Sequence, residues 1–372
     1  MQQFGSIGVV LFQLGGPDSL QAVEPFLYNL FLDPDIIDFP FARLARPALA
    51  KLISSRRARK VQEHYASIGG KSPIGELTNR QARALESELR KTLDARVLVA
   101  MRYWHPLTEE ALREIDAQRL RRLVLLPLYP QYSKTTTGSS LNEWNRRYRP
   151  NPGVDVRTIA SFHDHPLYLD AVVEKINEGL AAVGSVRGPA AEERRFIYAE
   201  GHSRKLSTSS TAGEVEGSPF REVGRNALAT ADLPADVVLL FSAHGVPINV
   251  IEAGDPYRRQ VEETVRLVVE RGGWPNRHLL CYQSRVGPGR WLQPPLHVAL
   301  EQLAAEGERR VLVVPISFVT DHVETLSEID IEARGLSKSL GIEHFSMMPA
   351  LNDSPKFIAA LAALVHQSLT GV

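Results

Sequence analysis

Short runs of Val, Leu and Ile recur along this chain, each ending abruptly in small or polar residues. They are Ile7–Leu14, Arg96–Tyr103, Leu123–Leu128, Val154–Ala160, Asp236–Phe241, His278–Gln283 and Arg310–Pro315, with a weaker one at Glu343–Met347. Runs that are apolar throughout, rather than alternating, mark strands buried on both faces. Amphipathic stretches separate them, so the pattern predicts βαβ units and parallel sheets covered by helices. The eight runs fall into two groups of four. The fold class predicted is α/β with two Rossmann-like domains, each a four-stranded parallel sheet flanked by helices, over residues 1–165 and 166–372.

One segment breaks the pattern. Gly184 to Ala231 is rich in small polar residues, including Ser207-Thr208-Ser209-Ser210-Thr211-Ala212-Gly213. Such a composition buries too little apolar surface to offset its ordering entropy, so a flexible insertion is expected within the second domain.

A chain of 372 residues has room for two cores of ordinary size. With 43 basic and 43 acidic residues its formal charge is zero, which argues against a nucleic-acid partner. The single Cys281 excludes an internal disulfide and any cluster that needs several thiolates from one chain. Met1 to Ser6 lacks a basic region ahead of the first apolar run, and no uncharged apolar stretch reaches about 18 residues. The expectation is a cytoplasmic protein, at most peripheral at the inner face of a membrane. Phe39-Pro40-Phe41-Ala42-Arg43-Leu44-Ala45-Arg46-Pro47 is the segment suited to such a contact.

Candidate chemistry gathers at the strand ends, where open α/β sheets collect ligands. The fifth run leads into Ser242-Ala243-His244-Gly245, and the seventh into Thr320-Asp321-His322-Val323-Glu324. His244 offers a neutral imidazole nitrogen, and Glu324 a carboxylate for a divalent ion or a proton. If Asp321 opens a helix, Asp321, Glu324 and Glu328 share one face and raise one another's pKa values. Capping of the helix dipole is the alternative; it accounts for Asp321 but poorly for Glu328, two turns in. No His-Glu-x-x-His or paired cysteine is present, so spacing does not identify a zinc site. Gly15-Gly16-Pro17 is no dinucleotide loop, because the third glycine is missing and Pro17 removes a donor. The run from Leu126 to Ser140 suits either an anionic group or ordinary N-capping. The basic run Arg56, Arg57, Arg59 and Lys60 suits either carboxylate ligands or a solvated helix face.

Several blocks in order carry a more specific signal. They are Leu14-Gly15-Gly16-Pro17, Tyr65-Ala66-Ser67-Ile68-Gly69-Gly70-Lys71-Ser72-Pro73-Ile74, Met101-Arg102-Tyr103-Trp104-His105-Pro106 and Tyr129-Pro130-Gln131-Tyr132-Ser133. Ser242-Ala243-His244, Gly254-Asp255-Pro256-Tyr257, Gln283-Ser284-Arg285-Val286-Gly287-Pro288 and Asp321-His322-Val323-Glu324-Thr325-Leu326 follow. Together they resemble the ferrochelatases over nearly the whole chain except 184–231. The resemblance implies a chelatase-like pair of Rossmann-like domains around a porphyrin cleft, and insertion of Fe2+ into a porphyrin with release of two protons. It implies His244 and Glu324 as the catalytic and metal-handling pair, with Asp321 and Glu328 carrying protons or iron. Leu14, Trp291, Phe318 and His322 match positions that line the macrocycle, and Arg57, Tyr65 and Ser72 match positions that bind its propionates.

The departures from the family pattern carry expectations too. Lys134 stands where some members have a cysteine that ligates an iron–sulfur cluster, so neither such a cluster nor any other prosthetic group is expected; iron is a substrate. Leu14 stands where coproporphyrin-using members generally have tyrosine, which favours protoporphyrin IX over coproporphyrin III. Gly245 replaces a common serine, and a looser loop is expected there. A bilobal carrier of haem or metal without chemistry is the reading from another class, and the acidic helix face argues against it. The oligomeric state stays open at this stage.

Overall fold

The computed structural model describes residues 7–36, 42–149, 152–184, 233–285 and 289–370. The expected flexible insertion, beyond Gly184, and residues Phe39–Phe41 of the segment expected to suit a membrane contact lie outside them. In the first half, β1 (Ile7–Gln13), β2 (Ala95–Met101), β3 (Arg122–Pro127) and β4 (Asp155–Thr158) form a parallel sheet in the order β2-β1-β3-β4. In the second, β5 (Val238–His244), β6 (His278–Gln283), β7 (Arg310–Pro315) and β8 (His344–Met347) repeat that order as β6-β5-β7-β8. All eight apolar runs are strands, and the grouping into two parallel sheets of four is the one observed.

Helices α1 (Val23–Leu32), α2 (Ala42–Ser67), α3 (Ile74–Leu89), α4 (Thr108–Gln118) and α5 (Ser139–Arg147) belong to the first half. Helix α6 (Pro166–Gly184) leads to the second, which carries α7 (Ile248–Glu252), α8 (Tyr257–Gly272), α9 (Leu296–Ala305), α10 (Arg334–Ser339) and α11 (Pro355–Thr370). Among the described residues two π-helical segments interrupt the scheme, Lys134–Gly138 after β3 and Glu324–Ala333 after β7.

Alternate residues of each strand enter different cores, as the period-two pleat requires. Val9, Leu11, Val124 and Leu126 of the first sheet join Leu239, Phe241, Leu312 and Val314 of the second in one continuous apolar core, completed by α6, α8 and α11. Val10, Phe12, Leu123 and Leu125 face the opposite way onto Trp144, and Val238, Leu240, Val311 and Val313 face Leu300, Leu303 and Ala333. A fourth cluster, built from α1, α2 and Tyr103, takes in Leu14, Tyr65, Trp104 and Val323. It brings the end of β1 and the start of the second π-helix onto one apolar patch.

Candidate active site

Six buried residues carry β5 inward before it surfaces at its last residue, His244. The imidazole Nδ1 lies 2.9 Å from Glu324 Oε2, and the two side chains are 33% and 20% exposed. Because a carboxylate only accepts, Nδ1–H donates and Nε2 is the nitrogen left for other chemistry. Burial works against the imidazolium, yet the Glu324 charge and hydrogen bond outweigh it and raise the His244 pKa. Burial would likewise raise Glu324, but His244 and His322 hold its carboxyl well below the usual range. His322 Nδ1 donates to the Thr320 carbonyl at 3.0 Å, which turns Nε2 toward Glu324 Oε2 at 3.7 Å. Phe318 touches both imidazoles, edge-on to His244 at 6.3 Å and tilted on His322 at 4.6 Å.

The acidic row differs from the expected one. Asp321 precedes the helix, whose π-helical stretch starts at Glu324. The Asp321 carboxylate accepts from Asn352 Nδ2 at 2.9 Å and Thr325 Oγ1 at 3.3 Å, and burial raises its pKa. The row that forms instead is Glu324, Glu328 and Glu332. A π-helix closes each turn at i+5, so residues four apart stay nearly in line. Glu328 accepts from Ser284 Oγ at 2.5 Å; burial, then the Glu324 charge, pushes its pKa up to about 7. Glu332 meets His64 Nδ1 of α2 at 2.9 Å, where the row reaches the surface.

The other expected site residues divide. Leu14 and Tyr65 share the apolar patch that holds Val323, next to Glu324. Tyr65 is 2% exposed, and burial together with the Glu324 charge raises its phenol. Arg57 lies on α2 before Tyr65, exposed, with its guanidinium 5.7 Å from the centre of the Phe31 ring. Ser72 is buried beside Gly16, where an added Cβ would come within 2.5 Å of its hydroxyl, and its Oγ accepts from Ile74 N at the start of α3. Trp291 pairs with Pro247 in an isolated bridge just past His244, and its indole N–H is buried with no partner among the described residues. Gly245 is not a loosened position. Its N–H donates to the Gln283 carbonyl at 2.7 Å, and a Cβ there would stand 2.8 Å from that oxygen.

Some supports of the site escaped the sequence reading of roles, although their motifs were in view. Gln283 accepts from Ser242 Oγ at 2.7 Å and donates to the Glu324 carbonyl at 2.9 Å, so it links β5 to the π-helix. Ser284 adopts φ 63°, a conformation uncommon outside glycine, at the point where it bonds Glu328. Within the Leu126–Ser140 run the N-capping alternative is realised: Ser133 accepts from Thr135 N and donates to Asp255 of the other half. Thr135 apart, each of these partners is distant in sequence, and only the motif blocks marked the residues out.

A family model described as Ferrochelatase matches residues 6–201 and 218–369. The unmatched stretch is therefore shorter than the expected 184–231. Ferrochelatases of Synechococcus sp. (strain JA-3-3Ab) and Synechocystis sp. (strain ATCC 27184) are 44% and 43% identical to the chain. The alignments cover 97% and 98% of this chain, and 93% and 83% of those proteins. Among solved structures, SirB from Bacillus subtilis with Fe3+ superposes with a TM-score of 0.50 at 10% identity, over 98% of this chain and 96% of that one. That likeness concerns the two-sheet fold alone. The family match and these identities, over nearly the full length, establish that the chain belongs to the ferrochelatase family.

Proposed function

We propose that the protein inserts Fe2+ into protoporphyrin IX, forming protohaem and releasing two protons, and so acts as a lyase. The observation that carries this reading is the His244–Glu324 pair at the end of β5, beside Phe318, with Glu324 directly following Val323 of the patch that holds Leu14 and Tyr65. A porphyrin is a flat apolar body with carboxylates at one edge, and it calls for aromatic and aliphatic walls with hydroxyls and a cation at the rim. Leu14, Phe318, His322 and Trp291 supply the walls. Tyr65, Ser72 and Arg57 serve the propionates.

Metal insertion exchanges two N–H protons for one doubly charged ion, so net charge balances only if both protons leave. His244 Nε2 is the atom that meets a pyrrole proton or the incoming iron, and Glu324 stabilises the charge that arrives there. Glu328, with its carboxyl pushed up to about 7, exchanges protons near neutrality and continues the row outward. Asp321 is assigned a supporting place at the loop before the helix, through Asn352.

The enzyme works without a prosthetic group or an iron–sulfur cluster. The one thiol, Cys281, is sealed in β6, where burial pushes its pKa up to about 12. No helix among the described residues is long and apolar enough to cross a membrane. A cytoplasmic protein, peripheral at the inner membrane face when it meets its hydrophobic substrate, fits that.

The test is anaerobic Fe2+ insertion by the purified protein, with protoporphyrin IX and coproporphyrin III side by side. Faster haem formation from protoporphyrin is expected. A preference for coproporphyrin III would keep the chemistry and discard the Leu14 argument. Tight porphyrin binding with no turnover of either would point to the carrier.

A further inference from the structure

Helix α8 carries the second half's grip on the loop that follows β3. Just before it, Asp255 is 5% exposed and its carboxylate accepts three bonds: from Ser133 Oγ at 3.0 Å, Lys134 N at 2.7 Å and Tyr257 N at 2.9 Å. One turn into α8, Gln260 Oε1 accepts from Tyr132 N at 2.7 Å. Further along the same face, Thr264 Oγ1 accepts from Gln131 Nε2 at 3.1 Å. Residues 131–134 are thus docked through Asp255, Gln260 and Thr264.

The first residue of that helix reaches the site. The Tyr257 hydroxyl lies 3.0 Å from the His244 carbonyl and 2.8 Å from Ser317 Oγ. A carbonyl only accepts, so the phenol proton goes to His244 and Ser317 donates in return. Burial raises the phenol's pKa, which keeps the donor intact.

We propose that Tyr257 is a positioning residue for metal insertion: it fixes the main chain from which the His244 imidazole projects and the turn that bears Phe318, while Asp255 makes that placement depend on the docked 131–134 loop. This rests on the chelatase reading above. It adds that the second half's catalytic pair is aligned by contacts made with the first half.

Tyr257→Phe in the full chain keeps the ring and removes the hydroxyl. The expected result is a fall of about tenfold in kcat for iron insertion, the scale of one buried hydrogen bond. The KM for porphyrin and the porphyrin Kd from fluorescence quenching should stay within about twofold. Ser317→Ala leaves the Tyr257–His244 bond in place and should lower kcat by less than about threefold. An unchanged kcat in Tyr257→Phe, or parallel losses of kcat, porphyrin affinity and thermal stability, would overturn the proposal. Should that variant not fold, Ser133→Ala removes one donor to Asp255; reduced kcat at constant Kd supports the coupling, and unchanged kcat overturns it. If the wild-type protein inserts no iron, the functional reading fails on its own. The positioning is then read from the His244 ring nitrogen resonances: displacement in Tyr257→Phe supports it, and unmoved signals reject it.

Discussion

The two halves of the molecule reach the same point with different residues. Arg122 pairs with Ile7 in the first sheet, and Val311 with Val238 in the second, which sets Arg310 level with Val237. The third strands match in sequence too, Arg-Leu-Val-Leu-Leu-Pro from 122 and Arg-Val-Leu-Val-Val-Pro from 310. The same step along the chain, 7 to 14 and 237 to 244, then brings Leu14 and His244 to corresponding strand ends. One is an apolar residue packed on the Tyr65 patch and the other an imidazole on a carboxylate. On the chelatase function proposed above, a shared backbone plan gives a seat for the ring on one side and chemistry on the other.

The ion pairs of the two halves teach the same lesson in electrostatic terms. In the first, Asp33 is sealed from solvent and held by Arg102 at 2.9 Å, the Tyr103 hydroxyl at 2.6 Å, and Ser139. Burial opposes its charge, but those partners hold its carboxyl below the usual range. In the second, Glu324 is held low by His244, a partner that can lose its proton. A guanidinium makes a fixed pair, whereas an imidazole makes one that can discharge.

Replacing His244 should have the largest effect. His244→Ala is expected to lower kcat by about 10³-fold, within the range for a lost general base, while porphyrin still binds. Turnover within about tenfold of wild type would remove His244 from the mechanism. The fixed pair should respond in stability instead. Arg102→Met leaves Asp33 as an uncompensated buried charge and is expected to cost about 3–5 kcal/mol in chemical denaturation. Because the Asp33 pKa is lowered on folding, its contribution is complete above the unfolded value of about 3.9 and fades as pH falls through the folded one. The wild-type stability curve should therefore drop in acid more steeply than that of an Asp33→Asn variant.

Glu324→Gln tests the pair that can discharge, with an expected loss of about 10²-fold in kcat. It also shifts the pH profile in a defined sense. His244 accepts a proton only when neutral, that is above its pKa, and Glu324 raises that pKa. Removing the carboxylate should move the acid limb of the rate profile to lower pH. A limb that stays in place would mean that another group governs it.

The strands were legible because each is a short apolar run between helices, and even the weak run at Glu343–Met347 is a strand, His344–Met347. His244 and Glu324 were legible as residue types at strand ends. The π-helix was not, because closing turns at i+5 leaves no mark in hydrophobic spacing. An α-helix opened at Asp321 was therefore the natural reading, and the row Glu324, Glu328, Glu332 emerged only in three dimensions. Gly245 was misread for a related reason: its close approach to Gln283 depends on a neighbouring strand, not on its own loop. Tyr257, Asp255 and Gln283 act through partners far away in sequence, which a single chain read linearly does not pair.

The smallest effect belongs to Leu14, and it decides whether the division of labour holds. Leu14 is half-buried on the patch with Tyr65 and Val323, so truncation removes apolar contact without exposing a charge. Leu14→Ala is expected to weaken porphyrin binding by about 1 kcal/mol, roughly fivefold in Kd, given about 0.8 kcal/mol per buried methylene and incomplete burial. The kcat and the acid limb of the pH profile should stay as in the wild type, because neither His244 nor Glu324 touches it through a hydrogen bond. Fluorescence titration and initial rates on one preparation measure both. If Leu14→Ala instead lowered kcat strongly at unchanged Kd, the apolar strand end would be taking part in ring distortion or metal delivery, and the two halves would share the chemistry rather than divide it.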